Sequence, residues 1–203
     1  IRMMIESAAE GNCADYIFLT GSAGSGKTHL LLACVSHSLA LGRRAAYIPM
    51  QRLHNATADA FDGFEQQLLV CLDDVHLIAG NKNLEIALFH FFNRAKTAGT
   101  QLVFSANAMP ASIGFELPDL VSRLEQSIRL NLDVLDESGK RHVILQRARQ
   151  RGLEIDEAVL DYLFTRVSRD LHTLSELLNR LDHASLAAQR RLTIPFIKMV
   201  LNP

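Results

Sequence analysis

Apolar and polar positions along the chain follow two patterns, short apolar runs and longer segments with helical spacing. The apolar runs predict buried β-strands at Ile17–Leu19, Ala45–Pro49, Leu68–Leu72, Leu102–Ala106 and Ser127–Leu132. Helical spacing before and between these runs predicts helices at Ile1–Ala9, Thr28–Ala40 and Asn83–Ala98. Because strands alternate with helices, the pattern predicts an α/β fold in which helices flank a parallel five-stranded sheet.

The pattern changes near residues 133–137, and no strand pattern appears after that point. Helical spacing there predicts helices at Glu137–Gln150, Glu157–Val167, Leu171–Ala187 and Ile194–Leu201. Asp156, Asp170 and Thr193 precede the last three of these helices and are suitable N-cap residues. We therefore predict two domains, an α/β domain over residues 1–135 and a small all-α lid domain over residues 136–203.

The composition is that of a globular protein with a hydrophobic core and nearly balanced charge. The chain has 203 residues, of which 48% are hydrophobic and 21% charged, enough for one domain or two small ones. The net charge of −1 gives no overall attraction to nucleic acid or to an anionic membrane. Three widely spaced cysteines predict reduced thiols, and the histidines lack zinc-ligand spacing. No apolar run approaches membrane-spanning length, so we expect no membrane partner.

The first strand runs into a glycine-rich turn that matches G-x-x-x-x-G-K-[ST] at every fixed position. The turn consists of Gly21, Ser22, Ala23, Gly24, Ser25, Gly26, Lys27 and Thr28. Its glycines let successive backbone N–H groups and the following helix N-terminus point at phosphate oxygens. Lys27 supplies a positive charge for the outer phosphates, and the Thr28 hydroxyl can ligate Mg²⁺. The alternative is a glycine-rich strand–turn–helix without a ligand; the complete motif favours a nucleoside-phosphate site.

A second motif follows about fifty residues later, where the third strand ends in Asp73 and Asp74. A carboxylate at this strand end, Asp73, can hold Mg²⁺ through its water shell. Asp74 occupies the position where a glutamate often polarises the attacking water, although aspartate is one methylene shorter. The alternative is that these carboxylates only cap the segment after the strand.

Two further positions are candidates for contacts to the outer phosphate. Asn107 follows the fourth strand, where a polar side chain can sense the γ-phosphate or position water, or can simply form a turn. Arg123 precedes the fifth strand at the domain edge, where it can reach the nucleotide of a neighbouring subunit as an arginine finger in trans. The alternative for Arg123 is a solvated surface arginine.

The whole chain resembles the DnaA-related AAA+ family, and most closely its short, Hda-type regulatory members. The resemblance covers the phosphate loop, Leu72-Asp73-Asp74, the segment Leu117–Leu124 and the tail Ala188–Lys198. It implies a P-loop AAA+ core with a lid, ADP or ATP as the nucleotide, Asn107 at sensor 1 and Arg123 as the finger of box VII. It also implies a cytoplasmic, nucleoid-associated bacterial protein whose partners are ATP-bound DnaA and the DNA polymerase sliding clamp.

Three departures separate this chain from a replication initiator. The segment Gln51–Gln67 is too short for the extra helices by which initiators form a filament, and we expect no DNA-recognition helix, since this sequence supplies none. His172 stands where the family usually has the sensor 2 arginine. A histidine is shorter and mostly neutral at pH 7, so its hold on a γ-phosphate would be weaker, and the alternative is a surface position on the lid helix.

These features favour a regulator of replication initiation that promotes hydrolysis of DnaA-bound ATP, with Arg123 acting in trans, over an efficient ATPase. The alternatives are a DNA-linked AAA+ ATPase such as a helicase loader or a DnaA-like initiator fragment, and a scaffold that holds nucleotide only for its shape. Because the helical pattern already begins at Ile1, we expect a segment upstream in the natural protein, and the resemblance places the clamp contact there. We expect DNA contact to be indirect or weak and homo-oligomers to be possible.

Overall fold

We analysed a computed structural model of the chain, which describes residues 1–53, 59–166, 171–188 and 192–201; the side chains of residues 171, 172, 175 and 201 lie outside that description. The chain packs as two compact units, Ile1–Val134 and Leu135–Pro203. Each unit has its own hydrophobic core, and each is described by itself.

The first unit is built on a five-stranded parallel sheet, which confirms the predicted fold class. Its strands are β1 Ile17–Thr20, β2 Ala45–Pro49, β3 Leu69–Asp73, β4 Gln101–Ala106 and β5 Ile128–Asn131, in the spatial order β2-β3-β4-β1-β5. Thr20 pairs with Ala106 on one side and Asn131 on the other, and Pro49 pairs with Asp73. The carboxyl ends of the strands therefore lie along the same edge, where open parallel sheets bind their ligands.

The helices of the described residues follow the predicted order, with one addition. They are α1 Arg2–Glu10, α2 Lys27–Ala40, α3 Lys82–Ala98, α4 Pro118–Glu125, α5 Glu137–Gln150, α6 Glu157–Arg166, α7 Leu171–Ala188 and α8 Ile194–Leu201. Single 3₁₀ turns occur at Met50–Arg52, Phe64–Gln66, Val75–Ile78 and Pro110–Ser112. The sequence pattern did not predict α4, because it is short and buries only Leu120 and Leu124. Arg123 is thus a helical residue of α4.

Side chains alternate between the two faces of the sheet and build a separate apolar layer on each face. Ile17, Leu19, Cys71 and Val103 pack in the layer that includes α1 and α2. The opposite layer includes α3 and α4, and there Phe92 stacks on Phe104 of β4 with 6.2 Å between ring centroids. Because the central strands are covered on both faces, β1, β3 and β4 are buried along their whole length.

The second unit is a helical bundle with an apolar core of leucine, isoleucine and phenylalanine side chains from α5 to α8. Two predicted N-caps are confirmed: the Asp156 carboxylate accepts from Val159 N at 2.7 Å, and Thr193 Oγ1 accepts from Phe196 N at 3.4 Å. The predicted cap Asp170 lies outside the described residues. On the surface, the Arg141 guanidinium bonds to Glu157 and Asp161 and so joins α5 to α6.

All three cysteines are free thiols, with Cys34 and Cys71 buried in the layer between α2 and the sheet. Over the residues that the structure describes, none of the helices is both long and apolar enough to cross a membrane.

Candidate nucleotide-binding site

The glycine-rich turn lies between the carboxyl end of β1 and the start of α2, as the sequence predicts. A Cβ atom at Gly21 would lie 2.5 Å from the Leu132 carbonyl oxygen and 2.6 Å from Ser25 Oγ, so no other residue fits there without a shift. Gly24 and Gly26 have φ angles of 78° and 94°, in the left-handed region that glycine adopts without steric cost. The turn therefore has the close backbone approach and the left-handed positions that a phosphate cradle requires.

Lys27 begins α2 and turns its ammonium group back onto the loop. Its side chain is 7% exposed, and Nζ donates to the carbonyl oxygens of Gly21 at 2.7 Å and Ser22 at 3.1 Å. A buried ammonium needs such partners, because an unpaired buried charge is strongly disfavoured. The positive charge is therefore held at the loop, which suits it to bind the outer phosphates of a nucleotide.

Asp73 lies at the end of β3 and accepts hydrogen bonds from three side-chain hydroxyl groups. Thr28 and Tyr47 both donate to Oδ2 at 2.7 Å, and Ser105 donates to Oδ1. Asp73 is only 4% exposed, so these bonds compensate for the loss of water around its carboxylate. Thr28 and Asp73 together offer hydroxyl and carboxylate oxygens, the donor set that Mg²⁺ prefers, and the residues present fit that ion.

Tyr47 reaches Asp73 from β2 on one edge of the sheet. Partial burial, and then the hydrogen bond and negative charge of Asp73, raise the pKa of Tyr47 well above its usual range. The phenol therefore remains a neutral hydrogen-bond donor at any physiological pH.

Asp74 follows directly and has a left-handed backbone with φ of 57°, which is uncommon for a residue other than glycine but tolerated by aspartate. Its N–H donates to Ser105 Oγ at 2.9 Å, so one serine side chain contacts both aspartates. His76 Nδ1 lies 3.9 Å from Asp74 Oδ1. Burial lowers the pKa of His76, and the opposing effect of the Asp74 charge does not cancel it.

Two of the remaining predicted site residues, Asn107 and Arg123, form no recorded bond with this cluster. Asn107 follows β4 as an exposed residue, and Arg123 is partly exposed on α4. Over residues 1–53, 59–166, 171–188 and 192–201, the structure records no hydrogen bond or ion pair for either side chain. The side chain of His172 lies outside the described residues. The structure thus brings together the loop, Thr28 and Asp73, and leaves the roles of the other candidates as predictions.

Sequence reasoning missed Tyr47 and Ser105, the other two partners of Asp73. Each has a polar side chain near the carboxyl end of a strand that neighbours β3, and strand neighbours follow from the spatial order of the sheet. That order, with β3 between β2 and β4, was not predicted from the sequence. The signal was therefore present in the chain but could not be interpreted without the order of the strands.

Comparison with known proteins covers nearly the whole chain. Residues 3–132 match the family described as the bacterial DnaA ATPase domain, and residues 136–201 match the family described as the Hda lid domain. A protein of Haemophilus influenzae with no functional description is 43% identical over 188 residues, which cover 92% of this chain and 81% of that protein.

Two solved structures have the same fold. Domain III of the replication initiation protein DnaA from Thermotoga maritima superposes with a TM-score of 0.80 at 21% identity, covering 98% of this chain and 89% of that one. AMPPCP-bound DnaA from Aquifex aeolicus superposes with a TM-score of 0.73 at 26% identity, covering 90% of this chain and 60% of that one. With a DnaA ATPase match over more than half of its length, the chain belongs to the DnaA-related AAA+ family of replication-initiation proteins.

Proposed function

We propose that this chain binds an adenine nucleotide, ADP or ATP, with Mg²⁺, on residues 21–28. Support comes from the Lys27 ammonium held at the loop and from Thr28 and Asp73, whose oxygens lie 2.7 Å apart. The AMPPCP carried by the related Aquifex protein is consistent with an adenine nucleotide in the same fold. Thr28 and Asp73 would hold the metal ion, which neutralises charge on the phosphates when bound.

We further propose that the protein acts on a partner rather than chiefly on its own nucleotide. In this proposal it promotes hydrolysis of DnaA-bound ATP together with the DNA-loaded sliding clamp, and thereby switches the initiator off. The Hda type of the lid match supports the regulatory branch of the family. Residues 1–135 act as the nucleotide-binding domain and residues 136–203 as its lid.

Arg123 carries this proposal. Arg123 is partly exposed on α4, and the described part of the chain contributes no hydrogen bond or ion pair to its side chain. An unpaired arginine at a domain edge is free to contact the γ-phosphate of a neighbouring subunit, where it would stabilise the charge that develops during transfer. Asp74 and Asn107, with His172 in place of the sensor 2 arginine, would then support at most a weak hydrolysis by the protein itself.

The test is Arg123→Ala in the full-length protein, assayed with ATP-bound DnaA and the DNA-loaded clamp. We expect the stimulated hydrolysis to fall by about 10³-fold or more, the effect typical of arginine fingers, while the affinity of the protein for ADP stays unchanged. Arg129→Ala is the matched control, because Arg129 is an exposed arginine on β5 of the same unit and is expected to be dispensable. Full stimulation by Arg123→Ala would overturn the proposal.

A further inference from the structure

A buried glutamate lies on α3, the helix whose apolar side chains pack in the layer with α4. Glu85 is on the first turn of α3 and is 0% exposed, among side chains such as Leu84 and Leu88. Among the residues that the structure describes, Asp73 is the other buried carboxylate, and the proposed function already uses it. A buried carboxylate is costly unless it is hydrogen-bonded, so a leucine would fill this space with less penalty. Glu85 therefore calls for a role other than filling the core.

Both carboxylate oxygens of Glu85 accept a backbone N–H, and the two N–H groups come from different segments. Oε1 accepts from Gly80 N at 2.8 Å, and Oε2 accepts from Leu117 N at 2.8 Å. Leu117 is the N-cap residue of α4, and Pro118 follows it. One side chain thus joins two loops that are far apart in the sequence.

The first of these loops leads back to the nucleotide site. Gly80 ends the segment that begins with Asp73 and Asp74 and passes through the 3₁₀ turn Val75–Ile78. The Asp74 N–H and the Asp73 carboxylate share the Ser105 hydroxyl, so the start of this segment is fixed to the Mg²⁺-ligand position. A change in the contacts of Asp73 can therefore reach Gly80 through a short and hydrogen-bonded stretch of backbone.

The second loop leads directly to Arg123. Arg123 lies six residues after Leu117 on α4, a helix of only eight residues. Leu120 and Leu124 pack the helix against the apolar layer, and Leu117 packs against the same layer. A hydrogen bond to the N-cap N–H fixes the position of the helix start, and a rigid helix transmits that position to its last turn.

We propose that Glu85 is a positioning residue for Arg123: it fixes the start of α4 to the segment after Asp73-Asp74, and so holds the arginine in place relative to the protein's own nucleotide site. This inference rests on the proposed function of Arg123. It concerns a residue that contacts neither nucleotide nor partner and acts through the backbone at Leu117. Its consequence is that the arginine is presented correctly only when the segment at Gly80 is in place.

The test compares Glu85→Ala and Glu85→Gln with Thr100→Val in the full-length protein. Alanine removes both hydrogen bonds, whereas glutamine keeps one acceptor oxygen and turns an NH₂ group towards the other N–H. Thr100 is the matched control: its buried hydroxyl lies within hydrogen-bond distance of two backbone carbonyl oxygens, Glu65 O at 2.7 Å and Gln67 O at 3.0 Å, but it lies between α3 and the amino end of β4 and bonds to neither segment that Glu85 joins.

The measured quantities are the maximal rate of DnaA-bound ATP hydrolysis at saturating DnaA with loaded clamp, the affinity for ADP, and hydrogen exchange of the Leu117 amide. A small misplacement of a catalytic group can cost about 10²-fold in rate. We expect Glu85→Ala to lower the maximal rate at least about tenfold, Glu85→Gln to fall between it and wild type, and ADP affinity to change less than about threefold. The Leu117 amide should exchange faster in both variants, and Thr100→Val should change none of the three quantities.

The outcomes separate this inference from the proposed function. If Arg123→Ala abolishes stimulation but Glu85→Ala and Glu85→Gln retain it, the inference is wrong and the proposed function stands. If Glu85→Gln loses ADP affinity in the same proportion as it loses rate, Glu85 has a general structural role and the inference is also wrong. If Arg123→Ala itself retains full stimulation, the proposed function is wrong, and the inference that rests on it is wrong as well. Because Glu85→Gln preserves the side-chain volume, it keeps the test decisive should Glu85→Ala fail to fold.

Discussion

The two buried carboxylates of the first unit are satisfied by different kinds of donor. Asp73 accepts from three side-chain hydroxyl groups, which can rotate away without any change in the backbone. Glu85 accepts from two backbone N–H groups, which cannot move unless the chain moves with them. Asp73 can therefore exchange a partner for a ligand, whereas Glu85 is suited to hold segments in place.

His76 allows a prediction about pH at the scale of one residue. Burial lowers its pKa, so the unfolded chain binds a proton near pH 6.5 while the folded chain does not. The unfolded state then binds more protons, and the contribution of His76 to the free energy of unfolding falls as the pH decreases below about 6.5. We expect His76→Gln to lose less stability than wild type between pH 7.5 and pH 5.5, measured by urea denaturation at each pH.

The control for this prediction is His90→Gln, because His90 is an exposed histidine on α3. It should follow the wild-type pH dependence. Equal losses of stability in wild type and His76→Gln over this pH range would contradict the argument.

At the scale of elements, the strands and most helices could be predicted because the spacing of apolar residues over a long segment distinguishes a helix from a strand. The predicted bounds of β2, α5 and α8 coincide with the observed ones, and the other predicted bounds differ by one residue at an end or at both ends; the predicted last residue of α6, Val167, lies outside the described residues. The exception is α4, for which eight residues hold too few apolar positions to set a helical period. Its N-cap residue Leu117 donates a tertiary hydrogen bond to Glu85, a contact that no local pattern contains.

The candidate site was predictable where the chemistry is local and not where it depends on strand neighbours. The loop from Gly21 to Thr28 is a contiguous motif, and Asp73 is recognisable as a carboxylate at the end of an apolar strand. Tyr47 and Ser105 reach Asp73 across β2 and β4, so their contribution requires the sheet order. The roles of Asp74, Asn107, Arg123 and His172 stay predictions, because they concern a nucleotide or a partner that the fold does not contain.

The phosphate loop as an element supports a prediction about Gly21. A methyl group there would lie 2.5 Å from the Leu132 carbonyl oxygen, and backbone cannot move aside as a flexible side chain can. We expect Gly21→Ala to lower the free energy of unfolding by roughly 1–3 kcal/mol, the usual cost of overpacking, and to weaken nucleotide binding. Chemical denaturation and nucleotide titration would measure the two effects.

Gly63→Ala is the matched control for this substitution. Gly63 has a φ of +83°, but no atom lies within 4 Å of the added Cβ, so only the left-handed backbone is penalised, by about 1 kcal/mol. Normal nucleotide affinity is expected for Gly63→Ala. A Gly21→Ala protein that binds nucleotide as tightly as this control would show that the loop tolerates the extra methyl group.

At the scale of the whole molecule, the question is which of two ATP molecules the proposed complex consumes. The protein carries its own site around Lys27, Thr28 and Asp73, and it presents Arg123 on a different element, α4. A regulator needs the nucleotide in its own site only to hold the protein's shape, whereas a motor must hydrolyse that nucleotide. The two classes therefore differ in how the partner's hydrolysis depends on Asp74, the residue predicted to polarise water in the protein's own site.

Asp74→Asn separates these classes with little disturbance to the fold. Asparagine tolerates the left-handed backbone at φ 57° and retains the N–H that bonds to Ser105. We expect any hydrolysis by the isolated protein to fall by about 10²-fold, the effect typical of losing a general base. Hydrolysis of radiolabelled ATP preloaded on DnaA should remain within about twofold of wild type, because the group proposed to act there is Arg123. A parallel loss of both activities would mean that the protein's own turnover drives the reaction, and would favour the motor ATPase over the regulator.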